Sequence, residues 1–548
     1  MKNLAVILVA GATAQALASS MPQTDSYWHW MNGNISKEGI TADLEYMKEG
    51  GMDAAMIFDV GIGVKRGAVD YASREWKDCI AWANSEAQRL GLELSLHNSP
   101  GYSACGGPWI APEDSMKELA WYVVKPGSHA APPAKMGFWR EIARYPLATA
   151  DETVRVARRL EKGESVEIAL DGEKDVAALN VWRGEREKPL DPFDGPRDYG
   201  CVLKVEAFDG TAWKTLGDVR CPVLRERDVP GRTLFRTPAR AAKLRLSANR
   251  GANIDRIEII STSPAAGREL VIGFTTTGQM VTAAPDSGRG LECDKFSRRG
   301  VDAHFDRHLA PLFGEMGRGA FKYLVIDSWE AGRQDWTSDF AAKFLAHRGY
   351  DCIPWLPALT GRNVLRGRIH PGALDKELSQ GQVKFLFDYE AEKKRLFEDE
   401  FLAPFAERAH AIGLLVAGEP YGDGDFDMET FVKYLDLPMS EYWAKTHYGS
   451  IERPLRVREA ARKCGKTYLG CEAFTAFPGD ADIAPTLENF GDSIDLLKSA
   501  GVVRFVFHAF VHQPSDDSAL TMGPFGTRFD RAHCTIEQLK ALTSRIKE

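Results

Sequence analysis

The sequence predicts an α/β fold, a (β/α)8 barrel of parallel strands interrupted by an inserted antiparallel β-sandwich of jelly-roll type. Three observations lead there. First, FKYLVIDSWE (residues 321–330) is apolar and β-branched through Leu324, Val325 and Ile326, then switches to Asp327, Ser328, Trp329 and Glu330. A parallel barrel needs such strands, buried along their length and presenting chemistry only at the mouth. Second, the pattern recurs. LLVAGEP ends in Glu419, LDLPMSEYW carries Glu441, KTYLGCEAF carries Glu472, and VVRFVFHAF carries His508 with His512 just beyond. Third, from about Val123 to Ser261 the chain turns to short alternating segments separated by Gly, Pro, Asp and Asn, the signature of antiparallel strands.

Taken in order, residues 1–18 read as a secretory leader: Lys2, a short apolar run, and small residues at Ala16 and Ala18 that suit cleavage after Ala18. A membrane anchor is the other reading, but the run contains Gly, Thr and Gln. No other stretch approaches the roughly 18 apolar residues that a span needs. The first barrel part, residues 19–122, carries strands at 27–32 (ending with His29 and Asn32), 53–59 (ending at Asp59) and 92–98 (carrying His97). Between the first two lies a helix with Ser36 as N-cap, closed by Gly50 and Gly51. The insert spans 123–262; its AFDGTAWKTLG segment is similar to hairpins of galactose-binding-like jelly rolls, and both a structural wall and a carbohydrate-binding module fit it. RELVIGFTTTG is expected to return the chain to the barrel, whose second part, 263–548, holds strands at 322–330, 413–419, 435–441, 467–473 and 502–509. The total is eight, the number that closes such a barrel. No G-x-G-x-x-G or phosphate-binding loop follows any strand, which argues against a nucleotide-binding sheet.

The net charge of −8 without long basic runs argues against nucleic acid as a partner. Nine cysteines, none in a C-x-x-C pair, leave at least one unpaired and do not resemble a disulfide framework or a zinc site. Of thirteen tryptophans, Trp28, Trp30, Trp109, Trp329, Trp336 and Trp443 lie beside polar strand ends, where their faces suit either sugar rings or packing at the barrel rim.

Seven motif regions run in order from about residue 27 to 535: WHWMNGNISKEGITADL, HNSPGYSACGGPWI, TTTG with GLECDK, DSWEAGRQDWT, PMSEYW, CEAFTAFPGD, and HQP followed by MGPFGTRFDR. Together they resemble the catalytic region of glycoside hydrolase family 106, the α-L-rhamnosidases. The resemblance implies an inverting, calcium-dependent hydrolase that removes terminal α-L-rhamnose from plant-type oligo- or polysaccharides. By motif, it implies Glu330 as general acid, Glu472 as general base and Glu441 as a third essential carboxylate. It leaves the calcium ligands open, and DGDFD has the acid spacing of only part of a calcium loop. The family's enzymes usually continue into further β-domains, whereas this sequence stops at SRIKE.

The residues alone support the same chemistry. Glycoside hydrolysis needs one carboxylic acid to protonate the leaving oxygen and one carboxylate to activate water or attack the sugar. Glu330 and Glu472, on the fourth and seventh strands, suit the wider gap of about 6.5–9.5 Å that accompanies inversion. Trp329 and Trp336 offer the apolar surroundings that raise an acid's pKa. Salt-bridge partnership at the rim is the plainer alternative for each acid. Glu419 and Glu441 suit sugar hydroxyls or a metal as well as proton transfer, and Glu292 either holds a hydroxyl or caps the helix after it. Asn32, Asp59, Asp327 and Trp443 join the candidate substrate contacts, with His29, His97, His508 and His512 as hydroxyl partners and none of these histidines as a catalyst. Two other functions stay open: a glycosidase of different specificity on the same barrel, and a carbohydrate-binding protein without catalysis.

Overall fold

The computed structural model describes residues 22–124, 132–147, 152–184, 201–221, 231–261, 268–359, 364–365, 368–369, 380–424, 426–444, 451–476, 483–521 and 527–548. The expected leader, Asp425 of DGDFD, the end of CEAFTAFPGD and the first part of GPFGT fall outside them.

Eight parallel strands close into a barrel in chain order: β1 (Gln23–Met31), β2 (Ala54–Val60), β3 (Glu93–His97), β4 (Phe321–Ile326), β5 (Leu415–Gly418), β6 (Leu437–Trp443), β7 (Gly470–Thr475) and β8 (Arg504–Val511). Every residue of β2, β7 and β8 is buried, because one face packs into the barrel and the other beneath helices. Tyr27, Met56, Phe58, Tyr323, Met439 and Val506 belong to one core cluster fed by β1, β2, β4, β6 and β8. The number and order of strands are those expected, and the ends differ. β4 stops at Ile326, so Asp327 to Glu330 lie on the loop beyond it, while β6 and β7 run past their glutamates.

Helices alternate with the strands. In α1 (Lys37–Glu49) the Ser36 hydroxyl accepts from the Gly39 N–H at 2.9 Å, the expected N-cap. α2 (Arg74–Leu90) is capped by Ser73 and ends on Gly91 in the left-handed region, φ 64°. Before β4, α3 (Arg298–His304) passes through a π-turn, Phe305–Leu309, into α4 (Ala310–Met316). Before β5, another π-turn, Phe397–Leu402, lies between α5 (Gln380–Leu396) and α6 (Ala403–Ala411). α7 (Met428–Lys433), α8 (Glu452–Lys463), α9 (Leu487–Ser499) and α10 (Ile536–Lys547) complete the alternation.

The chain divides into two compact units, residues 1–117, 276–337 and 394–548 in one, and 118–275 with 338–393 in the other. The second contains six antiparallel strands in one sheet, ordered Trp213–Cys221, Cys201–Phe208, Gly231–Ala248, Ser165–Arg183, Ala252–Ser261 and Glu152–Leu160. All six contribute to one apolar core, including Leu160, Val181, Leu203, Val219, Leu244 and Ile257. RELVIGFTTTG does not re-enter the barrel. Arg268–Thr276 is the middle strand of a three-stranded sheet, flanked by Lys117–Val124 and Arg140–Leu147, because Leu270, Val271 and Ile272 are buried and need neighbours on both edges. Residues 338–393 also belong to this unit, where buried Glu392 accepts from Arg348 at 2.9 Å and pairs with His347 at 2.6 Å.

Candidate active site

Three carboxylates converge at the barrel. Glu419 follows the last residue of β5, and Glu441 and Glu472 stand in register on neighbouring β6 and β7. One oxygen from each lies within 4.8 Å of the others. Parallel strands make this possible, since adjacent residues in register project to the same face.

The surroundings of each acid differ. Glu419 is buried, accepts from the Tyr27 hydroxyl at 3.3 Å, and is pushed by burial to a pKa of about 7, with Glu330 adding repulsion. Glu472 accepts from the Thr475 hydroxyl, and burial followed by repulsion from Glu419 holds its carboxyl well above the usual range. Glu441 is ion-paired with Arg453 of α8, whose guanidinium lies 4.7 Å from the centre of the Tyr421 ring. Arg453 lowers the pKa values of Glu330, Glu419 and Glu472, partly offsetting the repulsion.

Glu330 is the exposed member, set on the loop after β4. Burial of its carboxyl raises its pKa, against a 3.1 Å hydrogen bond from the Ser328 hydroxyl and the Arg453 charge. Asp327, nearly buried, is driven well above its ordinary value by burial and then by Glu419, Glu472 and Glu330. Its carboxylate accepts the Ser328 N–H at 2.9 Å. The site therefore holds four neighbouring carboxyl groups besides Glu441, each with its pKa raised, chiefly by burial.

His508 lies on β8 with Nδ1 3.4 Å from Glu472, and that nitrogen has no hydrogen-bond partner among the described residues. Burial lowers its pKa to about 3, so its ring is neutral. His29 sits edge-on to His508 at 5.3 Å and meets the Tyr102 hydroxyl at 3.2 Å; burial lowers its pKa well below the ordinary value.

Several candidates have other work. His97 accepts the Ser99 N–H and places Nε2 3.0 Å from the Ser103 carbonyl, fixing the loop after β3. Asn32, at φ 47°, spends its amide on Val64 O, Asp286 Oδ2 and the Asp286 N–H. His512 meets Asp43 of α1 at 2.6 Å and accepts the Ser36 N–H, tying α1 to the chain beyond β8. Glu292 is no helix cap: it is fully buried, accepting from Lys295 at 2.6 Å and from the Ser103 hydroxyl. Asp59 accepts the Trp76 indole N–H at 3.0 Å, and burial raises its pKa to about 8.

Trp329 packs rather than presents a face, being 2 % exposed. Phe397 stacks on it at 5.3 Å, and Lys295 Nζ lies 4.9 Å from the ring centre. Trp28, Trp30 and Trp336 are likewise buried, whereas Trp443 at the end of β6 keeps partial exposure. Tyr27, Tyr102, Tyr421, Arg453, Thr475 and Lys295 are the members that sequence reading missed. Tyr27 was within reach, two positions before His29 on the same strand face, as was Thr475 beside CEAF; nothing local marks Arg453.

The comparisons with known proteins agree with this architecture. A curated protein of Formosa agariphila described as "Putative beta-glucuronidase" is 30% identical over 529 residues, which are 95% of this chain and 40% of that one. A solved structure of a rhamnosidase from Novosphingobium sp. PP1Y superposes with a TM-score of 0.76 at 23% identity, covering 98% of this chain and 60% of that one. The chain thus spans less than two thirds of the length of both. The profile of glycoside hydrolase family 106, described as alpha-L-rhamnosidase, matches residues 18–162 and 262–548, and the chain belongs to that family.

Proposed function

We propose that this chain hydrolyses terminal α-L-rhamnosides of plant-type glycans with inversion at the anomeric carbon, using Glu330 as general acid and Glu472 as general base. The observation that carries the reading is the convergence of Glu419, Glu441 and Glu472 within 4.8 Å, with Glu330 electrostatically coupled to the group. Protonated Glu330 gives its proton to the glycosidic oxygen as the bond from the anomeric carbon breaks. Glu472 takes a proton from a water that attacks the opposite face, and the sugar leaves with inverted configuration. The neutral His508 ring beside Glu472 orients that carboxylate or accepts a hydroxyl of the sugar.

Calcium fits the donor set, because a buried group of carboxylate oxygens matches its preference for hard oxygen ligands. Glu419 and Glu441 are the residues that would hold it, with a Glu472 oxygen within 4.8 Å of both. When bound, the ion would supply positive charge that keeps these carboxyls ionised and offers a contact for sugar hydroxyls. Arg453 already gives part of that compensation. The six-stranded insert is read as a galactose-binding-like sandwich, and the leader-like residues 1–18 as directing the protein to the periplasm or outside the cell.

The test is hydrolysis of an aryl α-L-rhamnoside with and without a chelator, the first-formed anomer being read by proton NMR. Chelator-sensitive hydrolysis giving the inverted sugar is expected. An aryl β-glucuronide is the comparison substrate, given how the Formosa relative is described; hydrolysis of it alone would transfer the acid pair to another sugar. Retained configuration would overturn the base role of Glu472.

A further inference from the structure

We propose that two pairs of facing cysteines, Cys105 with Cys293 and Cys201 with Cys221, close as disulfides when the chain folds in an oxidising compartment. The inference is independent of the sugar chemistry. All nine cysteines are thiols in the structure, and the sequence offers no framework by which to pair them. The strand register does.

Cys201 and Cys221 stand directly opposite one another at the open end of the antiparallel pair Cys201–Phe208 and Trp213–Cys221. Both side chains are buried, and the two thiols are hydrogen-bonded. Cys105 and Cys293 extend a second, shorter antiparallel pair, in which Gly107 faces Leu291 and Gly106 faces Glu292. The next step of that register brings Cys293 opposite Cys105, and the Cys293 N–H donates to the Cys105 carbonyl at 2.9 Å. These thiols also touch, and both are buried. Directly opposed residues in antiparallel strands have Cα atoms about 4.5–5.5 Å apart, inside the range of about 4.4–6.8 Å that a disulfide spans. Both pairs thus stand at a strand spacing that a disulfide can span. By contrast, Cys464, Cys471 and Cys534 donate to the carbonyls of Glu429, Glu472 and Thr535.

The chemistry is a two-electron oxidation. Two thiols lose two protons and two electrons to a disulfide-bearing oxidant, such as oxidised glutathione or a dithiol oxidase of exported proteins, which leaves as two thiols. Burial, with the facing thiol adding to it, holds Cys105 well above the ordinary thiol pKa. The folded reduced pairs are therefore poor nucleophiles, and closure belongs to the folding chain, when the thiols are still accessible. The bridge at Cys105 would fasten the loop after β3 to the segment that carries Glu292 and Lys295. The bridge at Cys201 would close the base of a hairpin in the insert.

The experiment is peptide mapping of the full chain made in a bacterial periplasm, alkylated under denaturing conditions before and after reduction. The expected result is one disulfide joining the Cys105 and Cys293 peptides, one joining the Cys201 and Cys221 peptides, and five reactive thiols of the nine. Cys201→Ser and Cys105→Ser should each raise that count by one, as the abandoned partner becomes reactive. Adding reductant should lower the Tm of the wild-type protein and leave that of the Cys105→Ser/Cys201→Ser double variant unchanged. Nine reactive thiols, or bridges between other cysteines, would overturn the proposal.

Discussion

Glu330 and Glu472 differ in what surrounds them, and the difference separates their roles. Glu330 is exposed as a residue, on a loop, while partial desolvation of its carboxyl raises its pKa, as suits a group that delivers a proton. Glu330→Gln should lower kcat by about 10²–10⁴-fold on an alkyl rhamnoside and far less on a dinitrophenyl rhamnoside, whose leaving group needs no proton. Glu472→Gln should be equally damaging with both, and steady-state rates on the two substrates decide between the roles. Asp59 makes a different prediction. Its pKa of about 8 in the folded chain stands against an ordinary value of 3.8, so the folded state binds the extra proton between those values. Stability is therefore complete below about pH 4 and lost as pH rises toward 8. Asp59→Asn keeps an acceptor for the Trp76 indole and carries no charge. Its Tm should exceed that of wild type at pH 9 and match it near pH 4, as thermal unfolding at the two pH values would show.

At the scale of the element, the segment Asp327–Glu330 has lost its strand and is held by other means. The Trp329 N–H donates to the Tyr421 carbonyl at 3.0 Å, and the Gly332 N–H donates to Asp423 at 3.0 Å. Gly422, at φ 128°, lets the two loops touch: a Cβ there would stand 2.2 Å from the Trp329 carbonyl oxygen. Beneath the loop, Lys295 is wedged between Glu292 and the Trp329 ring, entirely buried. Lys295→Met would strand the Glu292 charge and should cost about 3–5 kcal/mol. The double variant Lys295→Met/Glu292→Gln should recover much of that loss, and urea unfolding of the single and double variants measures it. DSWE and GLECDK were both legible as motifs. That one supports the other was not, because they are some thirty residues apart and meet only through the folded loop.

At the scale of the molecule, the two ends of the barrel do different work. Arg504, at the start of β8, is buried against Asp25 at 2.6 Å and Glu93 at 2.6 Å, which open β1 and β3. Its guanidinium also lies 5.2 Å from the centre of the Tyr323 ring in β4. This arginine joins four strands at the end opposite the glutamates, where a barrel invests in stability rather than chemistry. Arg504→Met leaves Asp25 and Glu93 without their buried partner and should cost about 3–5 kcal/mol of stability. Turnover by the protein that remains folded should be unaltered, a combination that denaturant titration and kcat measured well below the Tm would reveal together.

The sequence by itself determined the eight strands, their order, their parallel character and the acids at their ends, since each follows from local patterns of apolar and polar residues. Burial on both faces writes a parallel strand as an apolar run, and the mouth writes itself as the point where that run stops. Tertiary structure alone decided which side chains meet. His508 and His512 are four residues apart and looked alike in sequence, yet one lies within β8 beside Glu472 and the other, past the strand's end at Val511, braces Asp43. Likewise only the register set Glu441 beside Glu472, brought Arg453 to both, and aligned the cysteine pairs. Contacts between residues far apart in the chain depend on how strands lie beside one another, and no window of sequence records that.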